Sequence, residues 1–250
     1  MIKWFKKQDK IEFFSYVQGV ASACPVLPAK SNLPGWVNQA RQDFKVQAIA
    51  TDKKFTHLYR CPGVFEILGE GYLITLPWDI IIETRGDDWD FKWTVPDAEL
   101  TNLMGGEIQL VQSHKENAKW LPTPPGALKT IVKLATPWHV RVPADVKLMV
   151  LPLSYSETHE FEQVPGILDP GISSEINFLL RWYVRSGTYK IKAGTPIAHV
   201  IPITERNLVM ECRDATPRDL KWVQRLRYLQ TFSFAIQRKK IKEAYKSFWK

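Results

Sequence analysis

From Val164 to Ile203 the chain reads VPGILDPGISSEINFLLRWYVRSGTYKIKAGTPIAHVIPI, three apolar runs cut apart by turn residues. Asp169-Pro170-Gly171 makes a tight turn, Ser186-Gly187 a second and Ala193-Gly194 a third. Proline presets φ and glycine takes conformations that other residues avoid, so these positions end whatever element precedes them. The pieces between them, Glu175 to Val184, Tyr189 to Ile191 and Ile197 to Ile203, are apolar runs bounded by turn signals and read as strands. A chain with this centre folds around antiparallel sheet.

Gly166-Ile167-Leu168-Asp169-Pro170-Gly171 and Lys192-Ala193-Gly194-Thr195-Pro196-Ile197-Ala198-His199 carry a resemblance. Over about 40 residues the segment is similar to the central part of the dUTPase and dCTP deaminase superfamily. The resemblance implies a mainly β fold, a dUTPase-like β-clip with an antiparallel core, an N-terminal arm and C-terminal helices. Most of the chain also resembles uncharacterised proteins of large tailed phages, which bring no known activity.

In that superfamily the acidic residue of the turn activates the attacking water, and Asp169 holds its place. Pro152-Leu153-Ser154 stands where the family has Pro-Arg-Ser, so Ser154 matches while the phosphate-binding arginine becomes Leu153. His199 occupies the position of a family glutamine, and Ile172 that of the aromatic residue that selects deoxyribose. No glycine-rich closing tail follows Ile203. A leucine cannot imitate the bidentate, charge-assisted grip of an arginine on phosphate. The deaminase branch needs a carboxylate where Leu179 stands, and Glu175, four residues earlier, is about 13 Å away along a strand.

Elsewhere the pattern is one of strands with helices at both ends. Lys10 to Val17 has strand composition, and Trp36, Ala40 and Phe44 line one face of a short helix expected to cover a sheet. Cys61 to Leu68 reads as a helical turn, 78 to 95 as a hairpin, Leu100 to Gly105 as weakly helical, and Glu107 to Ser113 and Ala135 to Ser154 as strand-rich. Val142-Pro143-x-Asp145-Val146 echoes Leu76-Pro77-x-Asp79-Ile80, a shared strand-entry turn. Asp87, Asp88 and Asp90 sit in the hairpin turn without a calcium-loop pattern. Trp182 and Tyr183 suit a subunit contact.

Thr216-Pro217-Arg218-Asp219 gives an N-cap, a proline at the first helical position and an acid three residues after the cap, so a helix runs from 217 to about 230 with Leu220, Val223 and Leu226 inward. Arg238 to Phe248 reads as a second, basic helix. Between Thr216 and Lys250 ten Lys or Arg face only Asp219 and Glu243, a net +8 that equals the formal charge of all 250 residues. A basic appendage on a balanced body suits an anionic partner, nucleic acid or an acidic protein, through Arg225, Arg238, Lys239, Lys240, Lys242 and Lys246.

Cys24, Cys61 and Cys212 show no paired spacing, and the five histidines form no metal motif, so neither a disulfide framework nor a metal site is expected. No apolar run is long enough to span a membrane and no secretory signal is read at the start, which gives an expectation of a cytoplasmic or virion protein. The expected organisation is an arm at 1–59, a β-clip core at 60–205 and a basic helical appendage at 206–250. The leading functional expectation is a catalytically degenerate, oligomeric binding or structural module, with a trimer implied by the resemblance. The alternatives are a nucleotide-processing enzyme using Asp169 with Mg2+, or a nucleotide-sequestering protein. Ser154, Gly171 and His199 are the ligand contacts either would use.

Overall fold

The structure is a computed structural model that describes residues 8–50, 56–87, 92–94, 110–114 and 118–230, together with Lys240 and Glu243; at 229 and 230 only the backbone is described. Its fourteen described strands are β1 Lys10–Ser15, β2 Leu27–Pro28, β3 Tyr72–Thr75, β4 Ile80–Arg85, β5 Lys92–Thr94, β6 Val111–Ser113, β7 Ile131–Arg141, β8 Lys147–Leu151, β9 Phe161–Gln163, β10 Gly166–Leu168, β11 Glu175–Trp182, β12 Ser186–Ile191, β13 Pro196–Ile203 and β14 Val209–Asp214. The α-helices are α1 Val20–Ala23, α2 Gly35–Ala50, α3 Pro62–Gly69 and α4 Pro217–Gln230. The protein is mainly β, as its central stretch requires.

Three sheets share one core. The first runs β14-β1-β7-β11-β9, with β6 also on β7; the second runs β10-β8-β13-β3-β2; the third is β12-β4-β5. All pairs are antiparallel except β1 with β14. Eleven residues long, β7 holds two neighbours on one edge, β6 at Val132 to Leu134 and β1 at Trp138 to Arg141. Along β11 buried and half-buried residues alternate strictly, with Ile176, Phe178, Leu180 and Trp182 turned inward. That period of two is what a strand with one covered face requires.

Pro77 and Pro143 mark the changes of sheet. The chain leaves β3 in the second sheet through Pro77 and enters β4 in the third, and it leaves β7 in the first through Pro143 and enters β8 in the second. A residue without an N–H cannot sit inside a ladder, so each proline frees the chain to cross over. The aspartates that follow brace the crossings: Asp79 accepts from the Ala193 amide at 2.8 Å and pairs with Lys190, while Asp145 pairs with Arg206 at 2.6 Å.

Several expectations change in three dimensions. The divisions at residues 60 and 205 do not follow the hydrogen bonding, because β1 and β14 pair with each other in parallel and join β7 inside the main sheet. Trp182 is wholly buried, stacked on Phe161 with centroids 6.1 Å apart, and so is no subunit contact. The helix α2 places Val37 in a small cluster with Val64 and Leu68 of α3, covering another helix rather than a sheet. On α4 the inner face is Asp219, Trp222, Val223 and Leu226, and Leu220 stands outside at 43 % exposure. The hairpin between 78 and 95 forms as β4 with β5, but its turn, with Asp88 and Asp90, lies outside the described residues, as do Leu100 to Gly105. Among the described residues no helix is long and apolar enough to cross a membrane.

Candidate functional site

Asp169 follows β10, whose Leu168 lies opposite Leu148 on β8. Its Oδ1 accepts the Gly171 amide at 3.2 Å, and its carbonyl accepts from Ile172 and Ser173 at 2.8 and 3.0 Å. This is an Asx turn, the geometry that short carboxyl side chains adopt when proline and glycine follow. Gly171 is buried within it and its amide is already engaged.

Ser154 and His199 meet at the other end of β8. His199 lies opposite Leu151, three residues further along β8 than Leu148, and on the strand flanking β8 from the opposite side to β10. At the usual rise and strand spacing, Asp169 is therefore more than about 10 Å from His199. Within one chain Asp169 and Gly171 thus stand apart from Ser154 and His199. Ser154 and His199 line a pocket of about 260 Å³ with Asn32, Leu73, Leu153 and Pro196. Among the described residues Glu157 is the one charged side chain on its wall, and no Lys or Arg lines it. A triphosphate needs positive charge there, and the leucine at 153 supplies none.

His199 is held by a bond of 2.5 Å between its Nε2 and the Glu70 carbonyl. A carbonyl only accepts, so Nε2 carries the proton. Burial pushes the imidazole below its ordinary value, the Glu70 carbonyl opposing, and the ring stays neutral at physiological pH. His139 is the second buried imidazole, 3 % exposed, stacked on Phe14 and bonded through Nδ1 to Ser174 Oγ at 3.0 Å. Burial holds it down to about 4, with Glu175 opposing the shift and Arg227 adding to it.

The sign of the resulting pH dependence follows. Below about pH 6.5 the unfolded chain takes up protons that the folded His139 refuses until about 4, so stability falls through that window by ~1.4 kcal/mol per unit for this one group, or ~3 kcal/mol in all. Urea midpoints measured from pH 7 to pH 4.5 are expected to decline, and His139→Gln to give a shallower decline. An equally steep decline in that variant would assign the effect elsewhere.

The most heavily built charged cluster lies where α4 meets the main sheet. Asp219, 1 % exposed, accepts from Arg141 Nη2 at 2.8 Å and from Arg213 Nη1 at 2.7 Å. Arg141 Nη1 also reaches Glu12 Oε2 at 2.9 Å. Both guanidinium groups lie over the Phe14 ring, at 5.3 and 5.6 Å from its centroid, and Arg141 lies 4.6 Å over the Trp222 ring. At the helix start Asp219 bonds both the amide and the hydroxyl of Thr216, at 2.8 and 2.6 Å, while the Asp219 amide donates back to Thr216 Oγ1 at 3.3 Å. This is a capping box with aspartate in the third position. Burial raises the Asp219 carboxyl, yet Arg213, Thr216 and Arg141 outweigh it and hold the group well below the ordinary carboxylate range.

With its inner face fixed in this way, α4 turns Arg218, Lys221 and Arg225 outward at i, i+3 and i+7, followed by Tyr228 at 65 % exposure. Helical spacing puts these residues on one stripe. Arg227 is drawn aside to Glu175 at 2.6 Å. Of the expected partner contacts, Arg225 thus lies on an exposed face and Lys240 is helical and exposed, while Arg238, Lys239, Lys242 and Lys246 lie outside the described residues. Three of the four members of the Arg141, Arg213, Glu12 and Asp219 cluster escape sequence reasoning, because they come from β7, β14, β1 and α4 and share no spacing. Among the described residues no cluster of His, Cys, Asp and Glu is arranged to hold a metal ion. No family model, curated protein or solved structure matches the chain.

Proposed function

We propose that the protein is a non-catalytic binding module, a β body of the β-clip kind that holds a basic helical face toward an anionic polymer, nucleic acid foremost. The observation that carries this reading is the two-sided character of α4. One side is sealed by Phe14, Trp222, Val223 and Leu226 and by buried ion pairs; the other offers Arg218, Lys221 and Arg225. A rigid mount matters because cations held in fixed geometry lose less conformational freedom when they meet phosphates. The net +8 between 216 and 250 supports the same reading, since neutralised phosphates release counterions and that release drives binding. The β-clip assignment belongs to the proposal and rests on the turn-and-strand passage from Gly166 to Ile203.

Deleting 216–250 would not test this, because it would uncover Phe14 and leave Arg141 buried without Asp219. The triple variant Arg218→Gln, Lys221→Gln and Arg225→Gln changes exposed positions only and keeps residues of good helix propensity. Its affinity for a labelled DNA duplex, followed by fluorescence anisotropy at low salt, is expected to fall on the order of 100-fold. Unchanged affinity, or no binding of duplex by the parent protein, would overturn the nucleic-acid reading.

A further inference from the structure

The pocket lined by Ser154 and His199 lies on one face of the second sheet. His199 stands directly opposite Leu73 in the pairing of β13 with β3, and both side chains line the pocket. Residues paired across two strands turn to the same face, so the imidazole is directed to the side on which the pocket opens. His199 is 2 % exposed, and its Nε2–H is spent on the Glu70 carbonyl. Nδ1 is left with a lone pair and has no partner among the described residues. It is not enclosed like the unpartnered indole nitrogens of Trp78, Trp138 and Trp182, and the surface it keeps lies in the pocket that the ring lines. An acceptor held in this way is ready for a donor and turns away a second acceptor.

The rest of the wall defines that donor. Glu157 is exposed, forms no ion pair among the described residues, and brings a full negative charge. Asn32 spends its Nδ2 on the Pro28 carbonyl at 2.8 Å, so its amide oxygen is the group left to bond. The hydroxyls of Ser154 and Thr158 both donate and accept and set no preference. The helix α2 begins on the same wall at Gly35, but a helix end carries only about half a positive charge, less than Glu157 opposes to it. Leu68, Leu73, Leu153 and Pro196 supply apolar surface. At about 260 Å³ the pocket falls below the roughly 300–1,000 Å³ of drug-sized sites, so its occupant is small. We propose that this pocket binds a small organic cation, a protonated primary amine or amidine on a short apolar body, whose N–H groups bond His199 Nδ1 and whose charge is met by Glu157. The pocket shares no residue with α4, so it is a site additional to the one proposed on that helix.

Benzylamine, n-butylamine and benzamidine serve as probes, with benzyl alcohol as the neutral control and benzoate as the anionic one. Titrated into isotope-labelled full-length protein, at least one of the three cations is expected to give saturable shifts at the His199 ring nitrogens and at the Leu73 and Leu153 methyl groups. Benzoate is expected to give none, and benzyl alcohol to bind about tenfold more weakly than benzylamine, since a charged donor makes the stronger bond. Glu157→Gln keeps the size of an exposed side chain and removes its charge. It is expected to weaken the cation about tenfold while the thermal midpoint of the ligand-free protein stays where it was. Saturation by none of the three cations would overturn the proposal. So would benzoate or benzyl alcohol binding as tightly as benzylamine, shifts that leave the His199 ring unmoved, or undiminished affinity in Glu157→Gln.

Discussion

Replacing Asp219 with alanine is expected to cost about 3–5 kcal/mol, a large part of the stability of a typical domain, and to show as a collapse of the urea midpoint. The carboxylate is buried against two guanidinium groups, one of them on Arg141, whose side chain is itself 7 % exposed. Removing it leaves the buried Arg141 cation with Glu12 in place of two carboxylates and strips the cap from α4, itself worth about 1 kcal/mol. Double replacement by apolar residues of similar size, Arg141→Met with Asp219→Leu, is expected to recover much of the loss, because no unpaired charge then remains. A double variant as unstable as the single one would place the effect in the cap. The carboxyl is depressed in the folded state, so its contribution is complete above the unfolded value near 4 and drains away below it. That window lies under the one set by His139, so the two are separable in a single pH series.

The second large effect belongs to Gly71, just before β3. Its φ is +68°, and a β-carbon there would meet the Val200 carbonyl oxygen at 2.2 Å and the Ile201 α-carbon at 2.9 Å. Both are backbone atoms of β13, the central strand of the second sheet, so no side chain can swing aside. Gly71→Ala combines a left-handed alanine with a clash that only separation of β3 from β13 relieves. The expected cost is about 3 kcal/mol or more, read from thermal or urea unfolding. It should also displace His199, which reaches the carbonyl of the adjacent Glu70. Gly63→Ala is the control: nothing lies within 4 Å of its β-carbon, it sits inside α3, and alanine there is expected to be neutral or slightly stabilising. Equal losses in the two variants would remove the close approach as the cause.

What the sequence revealed follows from the range of the forces involved. Alternation along 175–182, the proline and glycine turns around β13, and the cap at Thr216 to Asp219 are local signals, and β11, β13 and α4 stand where those signals put them. Leu220 stands outside α4's inner face: helical periodicity alone does not choose between two adjacent stripes, and the cation-π contact of Arg141 with Trp222 does. The union of β1 with β14 joins Lys10 to Val209, and no pattern within either strand announces its partner. The placement of the expected site residues within one chain was hidden for the same reason. Asp169, Ser154 and His199 were singled out by resemblance alone, and their separation depends on the register of β10 and β13 against β8, which local sequence does not contain.

On the proposed function, a sealed β body presents a fixed cationic stripe to phosphates. The most direct test is the affinity of the full chain for a DNA duplex measured across a salt series. With Arg218, Lys221 and Arg225 each neutralising one phosphate, the logarithm of the binding constant should fall against the logarithm of salt with a slope about 3 × 0.9 steeper in the parent protein than in the triple glutamine variant. Parallel lines for the two proteins would rule out phosphate contact by these three side chains.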